Sequence, residues 1–135
     1  MSQYEDLALK MDEYICKNLD ELGTLSDWIA EHPELSHEEY ETSKVLCEAL
    51  EKENFTIERP YAGYDTGFNA FFKNRGDDAP TVGLLAQYDA LPEVGHGCGH
   101  NMCGAISVLA ARALKHVLEK ENIPAQIRVI GTPAE

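Results

Sequence analysis

Basic residues are scarce in this chain. Eleven Lys and Arg stand against twenty-four Asp and Glu, for a formal net charge of −13, and they form no cluster that could follow a phosphate backbone or an anionic bilayer. Neither nucleic acid nor a membrane surface is therefore expected as a partner, and the acidity reads as a solvated surface. Also missing are a basic and then apolar leader, since the chain starts Met1-Ser2-Gln3-Tyr4-Glu5-Asp6, and any apolar run long enough to span a bilayer. A cytoplasmic location is expected. The four cysteines, Cys16, Cys47, Cys98 and Cys103, would then be reduced thiols, with Cys16 and Cys47 on apolar helix faces as buried filler rather than a bridge. No internal repeat, low-complexity tract or linker divides the chain. Its 135 residues, 44% of them hydrophobic, suit one domain or part of one.

Apolar groups at Leu7, Met11, Tyr14, Ile15, Leu22, Leu25, Trp28 and Ile29 predict an amphipathic helix over residues 4–31, with Gly23-Thr24 as a break or bend. The single tryptophan, Trp28, lies on that stripe and reads as core. His32-Pro33 stops the helix, because the residue before proline is pushed out of the helical region. Ser36-His37-Glu38-Glu39 reads as a capping box opening a second helix, with Thr42, Val45, Leu46, Ala49 and Leu50 inward. His32 and His37 read as surface or capping histidines, since no thiol or charge adjoins them to complete a ligand set.

Three strands are expected: Phe55 to Glu58, Phe68 to Lys73, and Thr81 to Ala86, the last apolar throughout like a parallel strand covered on both faces. Asn74 to Pro80 is a polar turn of the hairpin kind. Asn101 can cap a further helix with Ile106, Leu109, Ala110, Ala113, Leu114, Val117 and Leu118 inward, followed by a strand from Gln126 to Ile130. Strand, loop, helix and strand make a βαβ unit, so Asp89, Cys98, His100 and Glu135 fall beyond the carboxyl ends of parallel strands, where open α/β sheets bind ligands.

The stretch Gln87 to Cys103 concentrates the chemistry. It carries an acid, two histidines and two thiols, and Gly95, Gly97 and Gly99 let the backbone turn tightly and present His96, Cys98 and His100 together. A thiol and an imidazole two residues apart are the borderline-soft pair that zinc or a related divalent ion favours. Cys-Gly-His alone is a weak signal, and a nucleophilic Cys98 remains an alternative. That alternative needs a base within reach, which a side chain two residues away in an extended loop does not easily supply.

Asp89-Ala90-Leu91-Pro92 ahead of His96-Gly97-Cys98-Gly99-His100-Asn101, with Gly131-Thr132-Pro133-Ala134-Glu135 further on and His32-Pro33-Glu34-Leu35-Ser36 before, closely resembles one family. It is that of the metal-dependent amidohydrolases and exopeptidases, which contains aminoacylases, aminobenzoyl-glutamate hydrolases, hippurate hydrolases, indoleacetyl-amino-acid hydrolases and a β-alanyl-lysine-type dipeptidase. The resemblance implies the amino-terminal part of a three-layer αβα, zinc-exopeptidase-like catalytic domain with a mostly parallel sheet over residues 1–135. The rest of that domain and a smaller dimerisation domain would lie further along, and a homodimer or higher assembly is implied for the complete enzyme.

By the same resemblance Cys98 and His100 are metal ligands, and Asp89 is the acid that hydrogen-bonds a ligating histidine. Glu135 is the general base, and the cofactor is Zn or Mn, two ions in the complete enzyme. The wider family often has histidine where this chain has Gln87, so the cysteine-containing subfamily is indicated. His96 either supports the ligands or packs the loop, and Cys103 is packed. The implied reaction is hydrolysis of the amide bond of an N-acyl or N-aminoacyl amino acid or dipeptide. A metal-binding fragment without catalysis is the other reading of these 135 residues.

Overall fold

A computed structural model describes residues 2–135. Helix α1 (Gln3–Glu31) is followed by α2 (Tyr40–Glu51), strands β1 (Thr56–Glu58), β2 (Phe68–Asn74) and β3 (Thr81–Gln87), helix α3 (His100–Lys120) and strand β4 (Ala125–Thr132). The four strands form one sheet in the order β1-β2-β4-β3.

Helix α1 runs unbroken through Gly23-Thr24, against the expected bend. A glycine in a helix interior costs roughly 1 kcal/mol, whereas burying a Leu or Ile side chain gains roughly 1.5–3 kcal/mol. Leu22 and Ile29 are both buried on either side of Gly23, so packing keeps the helix straight. Cys16 corrects another expectation, for it lies exposed on this helix; Cys47 is buried as expected, and all four cysteines are free.

The start of α2 departs from the capping box. Its cap position is Glu39, which makes no side-chain cap bond. The free amides of Glu41 and Thr42 instead donate to the Glu34 carboxylate at 3.1 and 2.6 Å. Ser36 is drawn elsewhere because its segment pairs with the chain after β3: Leu35 bridges Ala90, and the Ala90 amide donates to the Glu34 carbonyl at 2.8 Å. Helix α3 likewise has Gly99 at its cap position, with no side-chain cap. Asn101, expected there, lies inside the helix and donates to the Ser26 carbonyl and hydroxyl, tying α3 to α1.

The sheet is mixed rather than mostly parallel. β3 runs parallel to β4, but β1-β2 and β2-β4 are antiparallel. The residues between β2 and β3 therefore do not close a hairpin, because β4 lies between the two strands. Nor is β3 covered on both faces: it is an edge strand, and Leu85 is 63% exposed. Alternation along the strands aims Phe68, Ala70, Ile127 and Val129 at one face, where they share a core with Leu46 and Leu50 of α2 and Val108 and Leu118 of α3. Leu109, Ala113, Val117 and Leu118 of α3 are buried as expected, but Ile106 is 64% exposed, and the buried face widens to take in Val108, Ala111 and Arg112. The Arg112 guanidinium is buried and paired with Glu21 at 2.7 Å and Glu53 at 3.2 Å.

Candidate metal centre

The carboxyl ends of β3 and β4 lie side by side, with Gln87 opposite Thr132 in parallel register. Each chain then leaves the sheet at the same end, one into the loop before α3 and the other into Pro133-Ala134-Glu135. Tyr88 anchors the first exit. Its ring is fully buried and stacks on Phe68 at 5.9 Å between centroids, and its hydroxyl donates to the Thr66 carbonyl at 2.5 Å. The next residue, Asp89, is thereby fixed at the strand end and is itself buried.

Beyond it the loop turns back on itself, with Leu91 and Gly95 exchanging both backbone bonds at 2.8 and 3.0 Å. Two glycines are required by the backbone, for Gly95 and Gly99 have φ of +73° and +83°, while a Cβ on Gly97 would meet a methyl of the exposed Val94 at 2.6 Å. Gly99 ends the loop and starts α3 at once, which brings His100 back over the strand end.

Asp89 is the hub of the contacts. His100 Nδ1 lies 3.0 Å from Asp89 Oδ1 and 3.1 Å from the Asp89 carbonyl oxygen. Carbonyl oxygens only accept, and so does an ionised carboxylate, so the proton of the neutral ring belongs on Nδ1 and its Nε2 keeps the free lone pair. Ser36 Oγ donates to Asp89 Oδ2 at 3.1 Å, and the Glu135 amide donates to Oδ1 at 3.2 Å. Ser36, His100 and Glu135, from three separate segments, meet on this one carboxylate.

The structure thus joins Asp89 to His100 directly and to Glu135 through its backbone, while the Glu135 side chain itself is exposed. Cys98 is exposed on the loop just before α3, and Cys103 is half-buried. Both ring nitrogens of His96 are buried without a hydrogen-bond partner. Burial, and then the neighbouring His100, hold the His96 pKa below the usual histidine value, with Asp89 opposing. Among the described residues no three His, Cys, Asp or Glu side chains gather closely enough to hold an ion.

The donor chemistry of the pair Cys98 and His100 nonetheless fits a divalent metal of the zinc type. The hydrogen bond on Nδ1 is the kind that fixes the tautomer and ring orientation of a metal-ligating histidine. His32 closes α1, its Nδ1 2.7 Å from the Trp28 carbonyl and its ring stacked on Trp28, and His37 stacks on Tyr64.

The roles of two carboxylates were not read from the sequence. Glu34 caps α2, and Glu39 is fully buried beside the second strand exit, accepting from Thr66 Oγ1 and from the Ala134 amide. In a chain with twenty-four acidic residues nothing in composition distinguishes a buried Glu from a solvated one.

No protein-family model matches the chain. Human Xaa-Arg dipeptidase is 34% identical over 99% of the chain, and a p-aminobenzoyl-glutamate hydrolase of Escherichia coli strain K12 is 34% identical over 82% of it. Among solved structures, a Bacillus subtilis dinuclear metal binding peptidase from the M20 family superposes on 86% of the chain with a TM-score of 0.70 at 30% identity. The chain is homologous to these hydrolases and peptidases. It spans a quarter to a third of the length of these relatives, 34% of the human protein, 26% of the Escherichia coli protein and 35% of the Bacillus chain. The similarity to the M20 peptidase supports the α/β fold described above.

Proposed function

We propose that this chain contributes one side of the catalytic centre of a metal-dependent amidohydrolase or metallopeptidase. Its substrate would be an N-acyl or N-aminoacyl amino acid or a dipeptide. The observation that carries this reading is the Asp89 to His100 hydrogen bond at 3.0 Å, which ties up Nδ1 and leaves Nε2 as the ring nitrogen available to a ligand at the carboxyl ends of β3 and β4. The relatives named above agree in class, one a dipeptidase, one a hydrolase of p-aminobenzoyl-glutamate and one a dinuclear metal binding peptidase.

In this proposal Cys98 Sγ and His100 Nε2 hold a divalent ion, Zn or Mn, and the remaining donors of a complete coordination sphere come from outside these residues. A bound ion of this kind polarises the scissile carbonyl and makes water a stronger acid. Asp89 keeps the proton on His100 Nδ1 and holds the ring in place. The Glu135 carboxylate accepts the proton released by the attacking water and delivers it to the departing amine. Its backbone is already fastened to Asp89, so base and ligand are referenced to the same carboxylate. Two donors alone do not define an open coordination position, and the 135-residue chain by itself is expected to bind Zn or Mn weakly and to show no turnover. A cytoplasmic enzyme that assembles as a homodimer completes the proposal.

Chelation tests it against a thiol hydrolase using Cys98. The active protein should lose amide hydrolysis to a chelator and regain it with Zn or Mn. Activity that survives the chelator but not thiol alkylation would replace the metal with a cysteine nucleophile.

A further inference from the structure

Both strand exits are fastened by carboxylates, but only one of the two lies among the residues proposed to do chemistry. Asp89 takes the Glu135 amide at 3.2 Å. Glu39, from the start of α2, takes the preceding amide, that of Ala134, at 2.8 Å with Oε2, while its Oε1 accepts from Thr66 Oγ1 at 3.0 Å. Ala134 has a φ of +56°, a left-handed conformation that a non-glycine residue holds only when its surroundings enforce it.

A fully buried carboxylate at a helix start is costly unless its oxygens are satisfied, and neither oxygen of Glu39 serves its own helix. Both reach out to other segments. Thr66 is itself held, its carbonyl accepting from the buried Tyr88 hydroxyl. Glu39 is thus gripped on one side by the Tyr88 and Thr66 contact and grips Ala134 on the other.

We infer that Glu39 is a positioning residue for Glu135. Two consecutive amides captured by two carboxylates from different elements fix the backbone on both sides of the Ala134 Cα, and with it the direction in which the Glu135 side chain leaves the chain. The Glu39 carboxylate bonds Thr66 and Ala134 rather than the proposed ligands, and it acts through Ala134. This rests on the reading of Glu135 as the base, and it adds the residue that aims that base. Proton transfer demands hydrogen-bond reach at the reacting atom, and a misplacement of about 1 Å can cost on the order of a hundredfold in rate.

The test compares Glu39→Ala, Glu39→Gln and Glu135→Gln in the metal-loaded active protein, with amide hydrogen exchange and steady-state kinetics on each. In Glu39→Ala, exchange at Ala134 and Glu135 should quicken by about tenfold or more while amides in the middle of α3 keep their protection. There kcat should fall by roughly ten- to a hundredfold, with KM within about threefold and metal content unchanged. Glu39→Gln should restore most of both. Its amide oxygen can accept from Ala134, and its NH2 can donate to the Thr66 hydroxyl after that hydroxyl turns.

Unchanged Ala134 exchange in Glu39→Ala would overturn the clamp. So would a loss of kcat with no rescue by Glu39→Gln. Glu135→Gln at full kcat would instead remove the base reading, and the positioning role with it, whatever the exchange data show. Should Glu39→Ala fail to fold, Thr66→Val, which takes away one of the two anchors of Glu39 and leaves the Ala134 contact in place, should give the same kcat loss in weaker form. Wild-type kcat and exchange in that variant would count against the inference.

Discussion

Adding one methyl group to Gly131 should destabilise the protein more than any surface change could. Gly131 is the residue of β4 directly opposite Phe68 of β2. A Cβ built there would lie 2.3 Å from both Cδ1 and Cε1 of the Phe68 ring and 2.9 Å from Cγ. Carbon atoms rest at about 3.5–4.0 Å, so ring or strand must shift by roughly 1.2 Å or more. The ring has nowhere easy to go, being fully buried and stacked on Tyr88. Overpacking of this kind costs typically 1–3 kcal/mol, and the depth of the overlap puts Gly131→Ala near the upper end, about 3 kcal/mol. At the scaling for a domain of this size that is a fall in Tm of about 10 °C.

The assay is a thermal unfolding curve followed by circular dichroism, with Phe68→Leu measured alone and combined with Gly131→Ala. Shortening the ring should return part of the loss, a coupling of roughly 1–2 kcal/mol between two residues in contact. A Gly131→Ala protein melting within about 2 °C of wild type would refute the reasoning, since the strand would then be yielding rather than packed. The consequence reaches the centre, because Gly131 lies four residues before Glu135 on the strand that delivers it.

Glu34→Ala removes the acceptor of the Glu41 and Thr42 amides and should lower stability by about 1 kcal/mol, read from a denaturant midpoint. Asp89→Asn should weaken metal affinity by roughly 10–100-fold in a competition titration with a chromophoric chelator, because the partner that sets the His100 tautomer is altered. Unchanged affinity would show that the hydrogen bond does not tune a ligand. In the metal-free chain Cys16 and Cys98 should alkylate readily near neutral pH and Cys47 should resist, as it is buried and burial pushes its thiol pKa up to about 12. Because the folded pKa is the higher one, the stability carried by the neutral Cys47 thiol is intact below its ordinary value of 9.0 and is lost as pH rises towards about 12. A Cys47→Ala variant should show a flatter alkaline stability profile.

Much of the site was legible because local chemistry writes it locally. The apolar run of β3, the glycines of the loop and the periodicity of α3 are contiguous. They place Asp89 and His100 at one strand end before any tertiary fact is known, and the separation of both from Glu135 by a helix and a strand follows from the βαβ pattern. What sequence did not carry is long-range. The order β1-β2-β4-β3 depends on β4 entering between two earlier strands, and no turn residue between β2 and β3 announces that insertion.

The caps failed for a related reason. Ser36 and Asn101 have the chemistry to cap their own helices, yet Asp89 and Ser26 compete for them across the fold. Arg112 and Glu39 look like surface residues by type, and only the neighbours supplied by other segments make their burial tolerable. Ile106 matched the helical period and shares its side of α3 with the buried Ala113 and Val117, but it lies near the start of the helix, where that side is left uncovered.

The most direct test of the account is the metal content of the purified active protein, by elemental analysis, in wild-type, Cys98→Ala and His100→Ala forms, each checked for folding by its thermal transition. The account predicts bound Zn or Mn in the wild type and a loss of ion and of amide hydrolysis together in both variants, with the fold retained. Full metal content in either folded variant would contradict the assignment of Cys98 and His100 as ligands.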